Sequence, residues 1–168
     1  MADVRIVDSS LLIEAERRRA LDDLESYFRS GPKTIAPPAV FEETVTEPKS
    51  IARFVSSASR IEKLYTNTVV IEEPDYSSNP VSDVVDKVRK CIAKKAKKDE
   101  HLIELADLQI VALAVSYAIK GRTVELIFRD KALKDCLKSV LDAQAISGVS
   151  VTDSSALIHD LIRKVRSR

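Results

Sequence analysis

The sequence predicts a three-layer α/β/α sandwich around a central parallel sheet of four to five strands. Short apolar segments alternate with amphipathic ones along the 168 residues, a pattern typical of parallel sheets covered by helices on both faces. Residues 124–128 have the apolar character of a strand buried inside such a sheet. The length and the 45% apolar content suit one hydrophobic core, so we expect a single domain over residues 1–168.

The first half of the chain is predicted to alternate strands with helices. Apolar residues at helical spacing predict one helix after the first strand, and Gly31-Pro32 ends it. Pro37-Pro38 opens the next helix, because proline is tolerated in a first turn, and Pro48 breaks it. The predicted elements are a strand over 4–7, a helix over 11–28, a strand over 34–36, a helix from 37 and a helix ending near 65.

The second half repeats this alternation. Prolines and serines in 74–81 predict a loop, and Gly121 ends a strongly apolar helix that we expect to be buried. The predicted elements are a strand over 69–71, a helix over 81–96, the apolar helix over 102–119, a strand over 124–128, a helix over 132–141, a strand over 149–151 and a helix over 154–165.

Composition excludes several classes of protein. No apolar run approaches the ~18 residues that a membrane helix needs, and Asp3 and Arg5 break up the first ten residues, so no signal peptide is expected. The two cysteines are too few for a four-cysteine zinc site or a disulfide framework. With 27 basic and 26 acidic residues, any nucleic-acid contact must come from a local patch. We expect a cytoplasmic protein with no membrane partner.

Acidic residues follow the predicted strands. In parallel sheets, ligands bind beyond the C-terminal ends of the strands, and Asp8 and Asp130 lie at two such ends. Glu43 lies in the helix after the second strand, and Asp107 lies near the start of the apolar helix. A buried acid is costly unless it is compensated, and converging carboxylates favour a hard divalent cation. These four acids are therefore the candidate site residues.

Each acid, taken alone, also fits a structural role. The absence of a glycine-rich phosphate loop argues against a nucleotide-binding protein. Serines at positions 9 and 10 disfavour a phosphorelay receiver and an Asp-x-Asp phosphatase. The structural alternatives are helix caps for Asp8, Asp107, Asp130 and Asp153, and solvent-exposed positions for Glu42, Glu43 and Glu104.

Four segments, in this order along the chain, together resemble the PIN-domain nucleases. The helix segment over 105–114, Leu-Ala-Asp-Leu-Gln-Ile-Val-Ala-Leu-Ala, is the most specific, resembling the family's Asp-x-x-x-x-Ala-Leu-Ala motif. The other three are Val-Asp-Ser-Ser-Leu-Leu-Ile over 7–13, Pro-Ala-Val-Phe-Glu-Glu over 38–43, and Ile-Phe-Arg-Asp-Lys-Ala-Leu over 127–133, which is similar to a strand ending in Thr-x-Asp.

The resemblance implies a divalent-metal-dependent endoribonuclease. It assigns Asp8, Glu43, Asp107 and Asp130 as catalytic residues and as ligands of one or two Mg²⁺ or Mn²⁺ ions, with Glu43 preferred over Glu42 by the register of the second motif. Such an ion activates a water for attack on an RNA phosphodiester. The resemblance implies one of two roles, the toxin of a toxin–antitoxin pair with its antitoxin partner, or the maturation of a ribosomal RNA precursor. The helix, extended segment and helix between Glu43 and the Asp107 motif resemble the layout of the second group, and both roles stay open.

One position departs from the family pattern. Phe128 stands where the family usually has Thr or Ser, so a hydroxyl that helps to hold the metal-bound water is missing. The alternative function is therefore a catalytically weak or inactive PIN module that binds RNA or protein. Cleavage of RNA that depends on a divalent ion and on Asp8 or Asp107 separates the two functions.

A basic run precedes the helix that carries Asp107. The window 87–98 contains no acid, and its cations suit either RNA phosphates or a solvated helix face. An apolar face on the helix over 11–28 or 102–119 would suit a homodimer. The candidate RNA-binding residues are Lys87, Arg89, Lys90, Lys94, Lys95, Lys97 and Lys98.

Overall fold

Five parallel strands form the central sheet of the computed structural model, which describes residues 1–168. The strands are β1 (Val4–Val7), β2 (Lys33–Ala36), β3 (Val69–Ile71), β4 (Val124–Phe128) and β5 (Val149–Asp153). They lie in the order β3-β2-β1-β4-β5. Helices cover both faces, which confirms the predicted three-layer sandwich with a parallel sheet.

The direction of strand addition reverses at β1. From β1 the chain adds β2 and then β3 on one side, and it crosses over to add β4 and β5 on the other. Ile6 in β1 is therefore in register with Ile35 of β2 on one side and with Leu126 of β4 on the other. Open parallel sheets bind ligands beyond the C-terminal ends of the strands at such a switch point. Asp8 follows β1 and Asp130 follows β4, so both lie at this position.

Nine α-helices and three shorter helical turns connect the strands. The short turns are a π-helical turn over Glu42–Thr46 and 3₁₀ turns over Ala52–Phe54 and Glu100–Leu102. The α-helices are α1 (Ser9–Arg17), α2 (Leu21–Arg29), α3 (Pro38–Phe41), α4 (Glu47–Lys49), α5 (Val55–Asn67), α6 (Asn79–Ala96), α7 (Leu105–Ala118), α8 (Lys131–Ala143) and α9 (Ser154–Arg166). None of them is long and apolar enough to cross a membrane.

The structure corrects two predicted helices. The single helix predicted over 11–28 is the two helices α1 and α2, because Arg19 adopts a left-handed φ of 55° between them. Arginine gives no sequence signal for this conformation, which glycine adopts far more readily. Pro48 does not end the second helix, because it is the second residue of α4, which continues directly from the π-helical turn.

The hydrophobic core packs against both faces of the sheet and contains most of α7. Side chains at Ile110, Val111 and Leu113 are at most 2% exposed. The expected burial of this apolar helix is confirmed. Because the core fixes α7, the residues in its first turn have a fixed position at the edge of the sheet.

A disulfide joins Cys91 of α6 to Cys136 of α8. The two cysteines are 45 residues apart in the chain, and they meet because α6 packs along α8. Cysteine count alone did not predict this pairing, since it depends on which helices become neighbours.

Candidate acidic site at the strand switch point

The four predicted site acids are brought to the switch point by four different elements. Asp8 directly follows β1, and Asp130 lies between β4 and α8. Glu43 lies in the π-helical turn, and Asp107 lies in the first turn of α7. The charges of the other three all act on the carboxyl group of Asp107. The four acids lie up to 122 residues apart in the sequence, yet they are close together at one site, which is called the acidic cleft below.

Two serines from the first turn of α1 hold two of these carboxylates. Ser9, which is only 7% exposed, donates a hydrogen bond from its hydroxyl to Glu43. The hydroxyl of Ser10 donates to Asp8 at 3.1 Å. Glu42 is exposed and makes no such contact, so the structure places Glu43 at the site.

A side-chain bond fixes the second motif against α7. The amide N–H of Ala39 donates to the side-chain oxygen of Gln109 at 2.9 Å. Gln109 lies two residues after Asp107, so this bond couples the start of α3 to the helix turn that carries the acid. The sequence analysis did not single out Gln109, because nothing in its local pattern reveals a partner 70 residues away.

The site concentrates negative charge that no basic side chain neutralises. Burial raises the pKa of Asp107 to about 8, and the charges of neighbouring carboxylates add to this effect. Burial also raises the pKa of Asp8 and of Glu43. None of the four acids forms an ion pair with a lysine, arginine or histidine. The cleft is thus poised to accept a cation.

Glu104 is a fifth acid at this cleft. It occupies the N-cap position of α7, three residues before Asp107, and its side chain is not used as a cap. Its charge contributes to the raised pKa of Asp8, Glu43 and Asp107. The sequence analysis interpreted Glu104 as a surface residue, and it is exposed, but it is exposed at the rim of the site. Its spacing from Asp107 at a helix start was the available signal.

The donor set suits a hard divalent ion, although the carboxylates do not converge on one point. Nowhere in the chain are three or more His, Cys, Asp or Glu side chains placed to hold a single metal ion. Three of the carboxylates are instead hydrogen-bonded, to Ser9, to Ser10 and, for Asp130, to the amide of Leu133 at 2.8 Å. All the side-chain donors are oxygens, the type that Mg²⁺ and Mn²⁺ prefer. The residues therefore fit such an ion by chemistry.

Phe128 lies inside the core and supplies no polar group to the cleft. The side chain is 2% exposed at the end of β4. Asp153, at the end of β5, caps α9 by accepting a hydrogen bond from the amide of Ala156 at 2.8 Å. The structural role considered for Asp153 is thus confirmed, and the hydroxyls at the site come from Ser9 and Ser10.

Most of the predicted RNA-binding cations are already paired. Their partners are two acids that precede the window 87–98 on α6 and one acid on the neighbouring helix α8. The pairs are Lys87 with Asp83 at 2.9 Å, Arg89 with Asp86 at 3.7 Å, Lys90 with Asp86 at 2.9 Å and Lys95 with Asp135 at 3.7 Å. Lys94, Lys97 and Lys98 are exposed and form no ion pair.

Comparison with known proteins agrees with the fold and the motifs. The profile of a family described as the halobacterial PIN domain matches residues 1–165. No curated protein matches the chain in sequence.

Two solved structures share the fold at low sequence identity. VapBC-1 from nontypeable Haemophilus influenzae is similar with a TM-score of 0.56 and 16% identity, over 90% of this chain and 98% of that one. VapBC2 from Rickettsia felis, bound to a DNA fragment from its promoter, is similar with a TM-score of 0.53 and 11% identity, over 89% of this chain and 98% of that one.

Proposed function

The chain belongs to the halobacterial PIN-domain family, whose members are generally nucleases, and we propose that it is a divalent-metal-dependent endoribonuclease. The observation that carries the proposal is that four carboxylates from separate elements lie near one another at the switch point, without a cationic partner from the chain. In this proposal Asp8, Glu43, Asp107 and Asp130 hold Mg²⁺ or Mn²⁺. When bound, the ion supplies an activated water and stabilises the charge that develops on a phosphodiester.

The chain's own residues orient the donors and control their protonation. The hydroxyl of Ser9 turns Glu43 toward the cleft, and the hydroxyl of Ser10 does the same for Asp8. Because the pKa of Asp107 is about 8, its carboxyl group retains a proton at neutral pH while the surrounding charge is negative. The site therefore releases a proton when positive charge enters, and cation affinity rises with pH.

The three unpaired lysines suit the backbone of an RNA substrate. Lys94 lies in the last turn of α6, and Lys97 and Lys98 follow it in the short connection toward α7. That connection leads directly to the turn that carries Asp107, so these cations lie at the same end of α7 as the acids. Aromatic side chains for base stacking are scarce, since only 5% of residues are aromatic, so we propose contact with phosphates rather than base readout.

We propose a toxin role in a toxin–antitoxin pair, acting in the cytoplasm. The support is that both structural neighbours described above are VapBC proteins. An antitoxin is then the protein partner. The ribosomal precursor and the homodimer expected from the sequence stay predictions.

The test is cleavage of a fluorophore-labelled single-stranded RNA with Mg²⁺ or Mn²⁺, comparing Asp107→Asn with Asp153→Asn. Both variants replace a carboxyl group with an amide of the same size, but Asp153 lies at the end of the outer strand β5 and only caps α9. We expect wild type and Asp153→Asn to cleave the RNA at similar rates, and Asp107→Asn and EDTA to abolish cleavage. Cleavage that survives Asp107→Asn or EDTA contradicts the proposal.

A catalytically silent module is the second candidate, and the buried Phe128 favours it. Calorimetric titration of Mn²⁺ into wild type and into Asp8→Asn/Asp107→Asn distinguishes the candidates. Binding that the double variant loses, together with RNA cleavage, supports the nuclease. RNA binding without cleavage, in wild type and in Phe128→Thr alike, supports the silent module.

A further inference from the structure

Two hydroxyl groups, on Thr44 and Tyr65, contact each other next to Glu43 in a partly buried position. Thr44, the next residue in the π-helical turn, is 1% exposed, and its Oγ1 lies 3.1 Å from the hydroxyl oxygen of Tyr65 in α5. The ring of Tyr65 packs edge-on against Phe41, with 4.9 Å between ring centroids and 89° between planes. The turn that carries Glu43 is thereby attached to α5.

The direction of the bond between the hydroxyls follows from proton counting. Thr44 has one hydroxyl hydrogen and donates it to the carbonyl of Val40 at 2.7 Å. Tyr65 must therefore donate to Thr44. Burial raises the pKa of Tyr65, and the charges of Asp8 and Glu43 add to the shift, so this donor keeps its proton at physiological pH.

The π-helical turn determines which glutamate faces the cleft. Its hydrogen bonds span five residues, as in the bond from the amide of Glu47 to the carbonyl of Glu42, and so enclose one residue more than an α-helical bond. Reverting the turn to α-helix would rotate Glu43 about the helix axis and away from Ser9. Such turns are rare, and they occur frequently at functional sites.

We propose that Tyr65, acting through Thr44, is a positioning residue that holds the π-helical turn with Glu43 directed at Ser9 and Asp8. The inference rests on the proposed function, since the position of Glu43 matters to catalysis only if Glu43 is a site ligand. Ser9 fixes Glu43 directly from α1, and the Tyr65–Thr44 pair fixes its backbone from α5. Neither Tyr65 nor Thr44 touches the substrate or the ion in this proposal.

The experiment compares Tyr65→Phe with Tyr117→Phe. Tyr117 is a matched control, because its hydroxyl contacts both carboxylate oxygens of Glu72, at 2.9 and 2.8 Å. It lies ten residues after Asp107 on α7, roughly 15 Å along the helix, and outside the acidic cleft. Each variant is measured for kcat and KM on labelled RNA and for hydrogen exchange of the amides at 42–46.

We expect Tyr65→Phe to lower kcat roughly three- to tenfold, the value of one net hydrogen bond, with KM for RNA unchanged. Exchange at 42–46 should be faster, while Tyr117→Phe should match wild type in kcat and in exchange at these amides. Thr44→Ser should retain wild-type kcat because it keeps the hydroxyl, and Thr44→Val should reproduce the loss.

Two results overturn the inference. One is a wild-type kcat in Tyr65→Phe, and the other is an equal loss of kcat in Tyr117→Phe. If wild type cleaves no RNA at all, the proposed function fails and hydrogen exchange alone decides the inference. In that case, faster exchange at 42–46 in Tyr65→Phe, but not in Tyr117→Phe, supports the positioning role. Unchanged exchange in Tyr65→Phe overturns it.

Discussion

The cleft at the switch point and the exposed face of α6 are both rich in charge, yet they differ in how that charge is balanced. On α6, Asp83 and Asp86 each lie within 2.9 Å of a lysine one turn away. In the cleft, carboxylates from four elements repel one another, and burial raises the pKa of Asp107 to about 8. Pairing within one helix stabilises a surface locally, whereas unpaired charge gathered by the fold indicates a binding site.

The largest expected effect on RNA cleavage separates the two adjacent glutamates of the π-helical turn, Glu42 and Glu43. Glu43→Gln removes a site carboxylate, and we expect RNA cleavage to fall by roughly 100-fold or more. Glu42→Gln should stay within about twofold of wild type, because its side chain is exposed and has no partner at the cleft. Equal losses in the two variants would show that charge near the turn, and not the position of Glu43, determines activity.

The disulfide tests how firmly the α6 face is attached. The bond closes a loop of 45 residues, and its removal should lower the free energy of unfolding by about 4 kcal/mol. Chemical denaturation of Cys91→Ala/Cys136→Ala and wild type, with and without reductant, measures this loss. Reductant should destabilise wild type and leave the variant unchanged. Mn²⁺ affinity should be retained in the variant, since neither cysteine contacts the acidic cleft.

The lysines divide into a paired and an unpaired set, and only the unpaired set should bind RNA. Replacing Lys94, Lys97 and Lys98 with alanine should weaken affinity for single-stranded RNA about tenfold. It should also reduce the slope of log K against log salt by roughly 2, at ~0.7 per phosphate contact. Replacing the paired Lys87 and Lys90 should change neither quantity. Equal effects from both sets, measured by fluorescence anisotropy, would contradict this division.

Strand-end acids show what the sequence alone could and could not resolve. Asp130 lies two residues after β4, Asp153 is the last residue of β5, and each caps the next helix through a 2.8 Å bond, so their local signals are similar. Only the strand order places Asp130 beside β1 and Asp153 at the sheet's outer edge. Periodicity and turn residues predicted all five strands, because those signals are local. The break at Arg19 and the ion pairs reaching α6 depend on conformation and packing, which single-sequence patterns do not encode.

The acidic cleft and the α6 face should contribute to stability with opposite dependence on pH. Unfolded aspartate titrates near pH 3.9, so the raised pKa of Asp107 means that the folded protein binds the extra proton between about pH 4 and 8. Stability then falls as pH rises through that window. On α6, a hydrogen bond from Lys90 lowers the pKa of Asp86. The contribution of Asp86 to the stability of the fold is therefore lost only as the pH falls below about 4.

Thermal unfolding in EDTA measures the effect of Asp107. We expect the melting temperature to be lower at pH 8 than at pH 5 by roughly 7 °C or more, and Asp107→Asn to remove most of that difference. A difference of the same size in Asp107→Asn would assign the pH dependence to other groups.

The smallest effect should come from breaking a pair on α6. Asp86 and Lys90 keep 45% and 59% of their side-chain surface exposed, so water and salt screen their attraction. Asp86→Asn should therefore shift the melting temperature by no more than about 1 °C, and less at 0.5 M salt than at 0.05 M. A shift of several degrees would mean that the pairs on α6 act as a network with the disulfide-linked α8. The ion pairs of the α6 face would then stabilise the fold substantially. Only the unpaired charge of the acidic cleft would still distinguish the two regions.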